Sequence, residues 1–316
     1  MEETRVPIYL ITGFLESGKT SFLNFTLQQD YFQIDGKTLL ILCEEGEEEY
    51  DAEALKQHNT DVEIIESEED LTPERLAAME ILYQPERVII EYNGMWLVSR
   101  FEEMEKPEGW AVEQHITCVD ASTFQVYMQN MKSLFMDMVR NADMVVFNRS
   151  KMEYPLSNFR RSIKVVNPSA EVIFEDEEGE MTDIFADQMP FDLDADIVDI
   201  PPEDYGIWFV DAMDHPDRYV GKTLRFKARA RRPRGMGSKF FIPGRTAMTC
   251  CADDTSFLGY ICKSAYAPKL KPGEWVEVTA KVAFENRSEY QGEGIVLYAE
   301  NVTPCEPLAD EMVYFN

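Results

Sequence analysis

Histidine and cysteine are scarce in this chain. Three histidines in 316 residues leave little material for a His-rich metal site. The six cysteines (43, 118, 250, 251, 262 and 305) include no C-x-x-C spacing and are too sparse for a disulfide scaffold. Positive charge is also short: 30 Lys and Arg against 59 Asp and Glu give a formal net charge of -29. That balance argues against the whole molecule binding nucleic acid or an anionic membrane. It suits solubility, metal cations or basic partners. No stretch reaches the roughly 18 apolar residues of a membrane span. The opening MEETRVPIYLITG lacks the basic start of a secretion signal. These absences predict a cytoplasmic protein with reduced cysteines and no membrane insertion.

What is present divides in two. A chain of 316 residues is long enough for two domains with a core each. Up to about residue 190, apolar runs alternate with helical patterns. TLLILC (38–43), RVIIEY (87–92), AVEQHITCVDA (111–121), DMVVFN (143–148) and AEVIFE (170–175) read as strands. LTPERLAAMEILY (71–83) reads as a helix with Thr72 as N-cap and Pro73 at its first position. STFQVYMQNMKSLFMDMVRNA (122–142) reads as one long helix. Such alternation predicts an α/β domain with a mostly parallel sheet covered on both faces.

The acidic stretches EDEEGE and DLDADIVDIPPEDYG, broken by Pro201-Pro202, mark a boundary near 195–205. The expected domains are 1–198 and 199–316. The second is β-rich. Leu224, Phe226, Ala228 and Ala230 alternate with Arg225, Lys227, Arg229 and Arg231, and Val276, Val278, Ala280, Val282 and Phe284 form a second inward set. Pro243-Gly244, Pro272-Gly273 and Gly292 to Gly294 are the expected breakers. About five strands in about 100 residues predict a small OB-like β-barrel.

PIYLITGFLESGKTSFLN, residues 7–24, is the most informative segment. It holds G-x-x-x-x-G-K-[ST] between a strand pattern and a helix pattern, the setting a phosphate-binding loop requires. Gly13, Glu16, Ser17, Gly18 and Ser21 belong to the backbone cradle, whose N–H groups and following helix N-terminus favour an anion. Lys19 reaches the β- and γ-phosphates of a nucleotide, and the Thr20 hydroxyl ligates Mg²⁺.

On these residues the chain resembles the CobW-type P-loop GTPases, a family of metal-insertion and metal-chaperone proteins that reads ITGFLGAGKTTLLN here. Glu44-Glu45-Gly46-Glu47 with Asp51 matches the switch segment. Glu91-Tyr92-Asn93-Gly94 matches E-x-x-G, Asp120 matches V-D-A, and Asn167-Pro168-Ser169-Ala170 matches N-P-x-A. The resemblance covers about residues 5–190. It implies that Glu91 holds the metal's water or orients the attacking water, and that Gly94 senses the γ-phosphate. It further implies that Glu44 and Glu47 report nucleotide state, with Glu44, Thr20 and Glu91 serving Mg²⁺, and that Asn148, Arg149 and Asn167 lie on the base side.

Two departures stand out. Where the family has N-K-x-D, this chain has Asn148-Arg149-Ser150-Lys151. Lysine has no acceptor for guanine N1–H and N2–H₂, which leaves GTP and ATP both open, with Asp143 or Glu153 as substitute acceptors. The family's C-x-C-C falls where this chain reads VEIIESEEDL. Those carboxylates suit a hard cation rather than a zinc thiolate site, and Cys43 reads mainly as a core cysteine.

In the second domain, Thr249-Cys250-Cys251-Ala252-Asp253-Asp254 with FLGYIC resembles a small bacterial β-domain found with putative permeases. Cys250, Cys251 and Asp254 are a candidate zinc set, with Cys262 or His215 as further ligands; packing is the plainer reading. The basic stripe from Arg225 to Arg234 lacks interleaved aromatics, so partner docking is favoured over nucleic acid. The leading expectation is a nucleotide-binding protein that slowly hydrolyses GTP or ATP with Mg²⁺ and couples that to metal or client handling. Contact with a permease is one form this takes. The alternatives are a nucleotide-gated adaptor with little hydrolysis and an OB-type nucleic-acid module.

Overall fold

The computed structural model describes residues 6–181, 189–248 and 255–313. The chain divides into two compact units, residues 1–159 with 166–184, and residues 160–165 with 185–316.

The first unit is built on β1 (Val6–Thr12), β2 (Thr38–Leu42), β3 (Thr60–Ile64), β4 (Arg87–Glu91), β5 (Trp110–Asp120), β6 (Met144–Asn148) and β7 (Glu171–Phe174). They form one sheet in the order β3-β2-β4-β1-β5-β6-β7, each neighbouring pair parallel. This is the expected parallel-sheet P-loop architecture. Parallel strands need crossovers, and these carry α1 (Lys19–Leu27), α2 (Ala52–Gln57), α3 (Pro73–Tyr83), α4 (Val98–Glu103), α5 (Phe124–Asn130), α6 (Lys132–Val139) and α7 (Leu156–Val166). Leu39, Leu40 and Ile41 of β2 and Val88, Ile89 and Ile90 of β4 are wholly buried. Burial of both faces is why these strands read as unbroken apolar runs. α3 starts as expected: the Arg75 N–H donates to Thr72 Oγ1 (3.1 Å), and Pro73 opens the helix.

The single helix expected over 122–142 is instead two, α5 and α6, meeting at Met131 with φ -134° and ψ 33°. At the join the Asn130 side-chain amide donates to the Val126 carbonyl at 2.8 Å. Asparagine here competes with the backbone ladder, a local effect that apolar periodicity does not register.

The second unit contains β8 (Val198–Asp199), α8 (Tyr205–Asp214), β9 (Thr223–Arg231), β10 (Phe240–Met248), β11 (Thr255–Gly259), β12 (Ile261–Lys263), β13 (Trp275–Arg287), β14 (Gly292–Pro304) and β15 (Met312–Val313). Strands β10-β12-β14-β13-β9 follow one another, and β9 pairs back onto β10, closing a five-stranded barrel. The β12–β14 pair is parallel and the other four are antiparallel. Leu224, Phe226, Ala228 and Ala230 face the core with Val276, Val278, Ala280 and Val282. Helix α8 was hidden by the acidic, proline-rich approach to it. It buries Tyr205 and Trp208 in the same core, with the Trp208 and Phe226 rings 4.8 Å apart.

Two expectations for this unit are corrected. Pro243-Gly244 lies inside β10 rather than between strands. There Gly244 pairs with both Arg229 of β9 and Gly259 of β11, so the backbones approach closely where β10 changes partner. Phe284 is 40% exposed. Its stretch of β13 lies beyond the register shared with β9, which ends at Lys281, so only β14 pairs with it and no second layer covers it. The basic stripe is partly paired: Arg225 with Asp199, Arg229 with Glu311 at 3.6 Å, and Arg231 over the Phe257 ring.

Candidate functional site

Five neighbouring strands end at one edge of the first sheet, where ligands of open α/β folds bind. β2 runs into Cys43 and Glu44, β4 ends at Glu91, and β1 leads into Gly13 to Gly18. β5 ends at Asp120 and β6 at Asn148. The register makes these ends level: Leu42 and Ile11 both lie beside Glu91, and Asp120 lies beside Asn148.

The loop delivers its groups to that edge. Gly18 caps α1 with φ 91°, a left-handed conformation that favours glycine, and a Cβ there would lie 2.5 Å from Asn148 Nδ2. No side chain caps α1, so its first N–H groups remain for an anion. Lys19, 4% exposed, donates to the Gly13 and Phe14 carbonyls at 3.0 Å and to Glu44 Oε2 at 2.6 Å. Thr20 Oγ1 donates to Glu91 Oε1 at 3.0 Å, and the Tyr50 hydroxyl donates to the other Glu91 oxygen. Burial holds the Glu91 carboxyl above its ordinary range, against the opposing pull of Tyr50, Lys19 and Thr20. Burial beside the Glu91 charge also pushes the Tyr50 hydroxyl upward, so it stays a donor.

The segment after β2 is stitched to the loop. The Glu47 N–H donates to Glu16 Oε1 at 2.9 Å, and Ser21 Oγ donates to Glu48. Glu16 has φ 60°, a region uncommon outside glycine and costing on the order of 1–3 kcal/mol. Its backbone departs from the helical or extended norm at the residue whose side chain accepts the Glu47 N–H. Gly94 lies against the loop: a Cβ there would meet the Gly13 carbonyl oxygen at 2.6 Å. Asn93 Nδ2 fixes that turn by donating to the Cys43 carbonyl at 3.0 Å.

On the base side, Asn148 Nδ2 donates to the Ser17 carbonyl at 2.6 Å, and Arg149 bonds the Glu16 carbonyl at 3.1 Å and Asp120 Oδ2 at 2.6 Å. Ser17 Oγ and Asn148 Oδ1 are buried without a hydrogen-bond partner, and buried polar atoms in this state await one. A groove of about 1300 Å³ runs from Asn148 and Lys151 past Glu175 and Asp176 along an apolar floor that includes Ile116 and Val146.

Some proposed residues lie elsewhere. Asn167 is not brought to the loop. Its Nδ2 donates to the Val139 and Ala142 carbonyls at 2.9 and 2.7 Å, and its Oδ1 accepts from Ser169 and Ala170. It ties the turn before β7, at the amino ends of the strands. Asp143 is at that same far end, where Oδ2 accepts the His115 N–H at 2.8 Å, so it cannot serve a base beside Asn148. Glu153 is exposed and does not line the groove. Cys250, Cys251 and Asp254 lie outside the described residues. Tyr50 was missed; it follows a run of acidic residues, and no local spacing announces a contact 41 positions away.

Cys43, Cys118 and Cys262 are buried, and desolvation pushes each thiol up to about 12. A thiol at that value supplies almost no thiolate at neutral pH. These three should resist iodoacetamide at pH 8 in the native protein and react only after denaturation, as read by peptide mass spectrometry. Labelling of Cys43 in the native state would show that the β2 end opens. Among the described residues no three His, Cys, Asp or Glu side chains gather to hold a metal by themselves, and no helix is long and apolar enough to cross a membrane.

The family model described as the CobW/HypB/UreG nucleotide-binding domain matches residues 7–174. The chain belongs to this family. A second model, the DUF1980 C-terminal domain, matches residues 178–315, so a CobW-type domain is fused here to a DUF1980 domain. Among solved structures, the Zn(II)-bound YjiA GTPase from E. coli is 18% identical, with a TM-score of 0.42 over 80% of this chain and 88% of that one. The hydrogenase maturation factor HypB from Archaeoglobus fulgidus is also 18% identical, with a TM-score of 0.42 over 56% and 84%. HypB from Helicobacter pylori in complex with nickel is 13% identical, with a TM-score of 0.38 over 55% and 80%. No curated protein sequence matches the chain significantly. The CobW-type match spans the phosphate loop, Glu91 and Gly94.

Proposed function

We propose that the CobW-type unit binds a nucleoside triphosphate with Mg²⁺ and hydrolyses it slowly, and that nucleotide state governs the segment from Glu44 to Asp51. The observation that carries this reading is the meeting of Lys19, Thr20, Glu44 and Glu91 at one sheet edge. The donors suit Mg²⁺, which takes hard oxygen ligands and keeps part of its shell for water and phosphate. Thr20, Glu91 and Glu44 would hold it, and the bound ion would supply positive charge to the transferring phosphoryl group. Lys19 neutralises phosphate oxygens, the α1 N-terminus orients them, and Glu91 holds a proton-bearing water by its carboxylate. Zinc at Cys250, Cys251 and Asp254 remains a proposal on sequence alone.

The base side supports a revised route to guanine. Lys151 supplies no acceptor, but Glu175 and Asp176 line the groove that Asn148 enters. Either carboxylate would accept N1–H and N2–H₂. The barrel's closure and its single parallel pair support the OB reading of the second unit, whose compact body takes in the chain from residue 185 on. Handling of a client, a metal or a permease would fall to that unit. The pairing of its arginines with carboxylates favours a protein partner over nucleic acid. The adaptor reading has its own support: Lys19 is already paired with Glu44, a resting arrangement that slows entry of phosphate.

Phosphate release with GTP and with ATP, in Mg²⁺, tests the proposal on the full chain. We expect slow turnover with GTP above ATP, and a loss of that preference in Glu175→Gln or Asp176→Asn. Binding without turnover of either nucleotide selects the adaptor, and absence of binding by both ends the nucleotide reading.

A further inference from the structure

Crossovers decide which face of the first sheet is covered. A crossover between parallel strands is right-handed. In the order β3-β2-β4-β1-β5-β6-β7, α1 and α2 serve steps toward β3, whereas α3 to α7 serve steps toward β7. The first two helices therefore lie on one face and the other five on the opposite face. The packing agrees. Leu23 and Leu27 of α1 and Leu55 of α2 share a cluster with Ile11, Ile116 and Val146. Phe124 of α5 and Phe159 of α7 pack on Phe147, whose side chain points away from that of Val146. Over β5, β6 and β7, none of this unit's described helices lies on the α1 face.

The groove of about 1300 Å³ opens there. Gln114, Ile116 and Cys118 of β5, Met144 and Val146 of β6 and Ile173 of β7 form its floor, every second residue of each strand. Its upper walls are apolar and open: Phe25 is 65% exposed, Tyr31 78% and Met152 72%. Large apolar side chains gathered at one groove mark an interaction site. Small-molecule pockets reach about 1000 Å³, so a base at Asn148 would fill one end and leave the rest. A helix about 10 Å across, rising 1.5 Å per residue, takes about 120 Å³ per residue. The groove therefore holds about 11 residues, or three turns. Their length of about 16 Å matches the five residues of β6 at about 3.3 Å each. The rim sets the sign of the occupant. Glu175, Asp176, Glu177 and Glu178 line it against Arg149 and Lys151, and Arg149 is already paired with Asp120 at 2.6 Å.

We propose that this groove docks a basic amphipathic helix of a partner protein. The apolar side chains of that helix face the floor and the Phe25 and Tyr31 wall, and its lysines or arginines face Glu175 to Glu178, the helix-in-groove mode of recognition. The bound helix lies along α1, which begins with Lys19 and Thr20. Partner and phosphate site thus share one rigid element.

The test is fluorescence-anisotropy titration of the full chain with a labelled peptide of leucine and lysine, about 14 residues long and patterned as an amphipathic helix, and with its counterpart carrying glutamate for lysine. We expect the lysine peptide alone to bind, more weakly as salt rises. Phe25→Ala/Tyr31→Ala should lower its affinity at least about tenfold, the scale for aromatic anchors. Glu177→Lys/Glu178→Lys should lower it about tenfold at low salt. All four side chains are exposed, so neither variant disturbs the core. Glu103→Lys/Glu105→Lys, the same charge reversal beside α4 on the opposite face, should change affinity less than about twofold, because distant charges are screened. Absence of binding by the lysine peptide, equal binding of both peptides, full affinity in Phe25→Ala/Tyr31→Ala, or an equal loss in Glu103→Lys/Glu105→Lys overturns the proposal. So does a wild-type dimer in sedimentation that Phe25→Ala/Tyr31→Ala abolishes, because the occupant is then a second copy.

Discussion

Lys19→Ala removes nucleotide binding and also weakens the empty protein. The ammonium is the positive charge buried at the head of the loop, with three acceptors within 3.0 Å. Its loss should lower affinity for Mg²⁺-GTP by roughly 10²–10³-fold, the scale for a preorganised charge in a water-poor site. The second effect arises from Glu44, whose side chain is 10% exposed and would be left without its cation. Breaking one side of a buried pair costs about 3–5 kcal/mol when the survivor stays buried, and less if Glu44 swings outward. Calorimetric titration reads the first effect and thermal unfolding the second. The double variant Lys19→Ala/Glu44→Gln separates them, because it should recover stability without recovering binding. Unchanged affinity in Lys19→Ala would refute the site. An unchanged melting temperature would mean that the Lys19–Glu44 pair adds nothing net to the fold.

The phosphate loop was legible because its chemistry is contiguous: eight residues hold the turn, the lysine and the hydroxyl, with a strand before and a helix after. The strands were legible for a related reason, since β2 and β4 are buried on both faces and leave unbroken apolar runs. What was obscure depends on distant pairing. Tyr50 meets Glu91 only because β2 and β4 are neighbours, and Arg149 meets Asp120 only because β5 and β6 are. Asn167 carried a motif match, yet its amide serves a turn at the other end of the strands. Asp143 failed for the same geometric reason: proximity in sequence to Asn148 means the opposite end of β6. In the second unit the alternating pattern found the inward residues but not where the barrel stops, so Phe284 was misassigned. Pro243-Gly244 looked like a turn because composition does not distinguish a break from a bend within a strand.

Glu91→Gln should separate stability from function. Glu91 is 3% exposed, and burial raises its carboxyl despite two hydroxyl donors and the nearby Lys19 charge. A carboxyl whose folded value lies above its unfolded value of about 4.3 favours the fold fully only below that unfolded value. The contribution fades as pH rises through the folded value, so at neutral pH the ionised group opposes folding. Glutamine has no charge to desolvate, keeps an acceptor for Thr20 and gains an N–H for the Tyr50 oxygen. The empty Glu91→Gln protein should therefore melt higher than the wild type at pH 7.5, by about 2–4 °C for roughly 1 kcal/mol in a chain of this size. The gap should narrow as pH falls towards 5. Phosphate release in Mg²⁺ should move the other way, falling by on the order of 10²-fold or more with the loss of a charged group beside the phosphoryl site. A melting temperature that drops at pH 7.5, or a gap that widens on acidification, would show that the contacts of Glu91 with Lys19, Thr20 and Tyr50 outweigh its burial. Retained turnover would remove Glu91 from the chemistry. The expected opposition of the two effects is the signature of a carboxylate kept buried for function rather than for the fold.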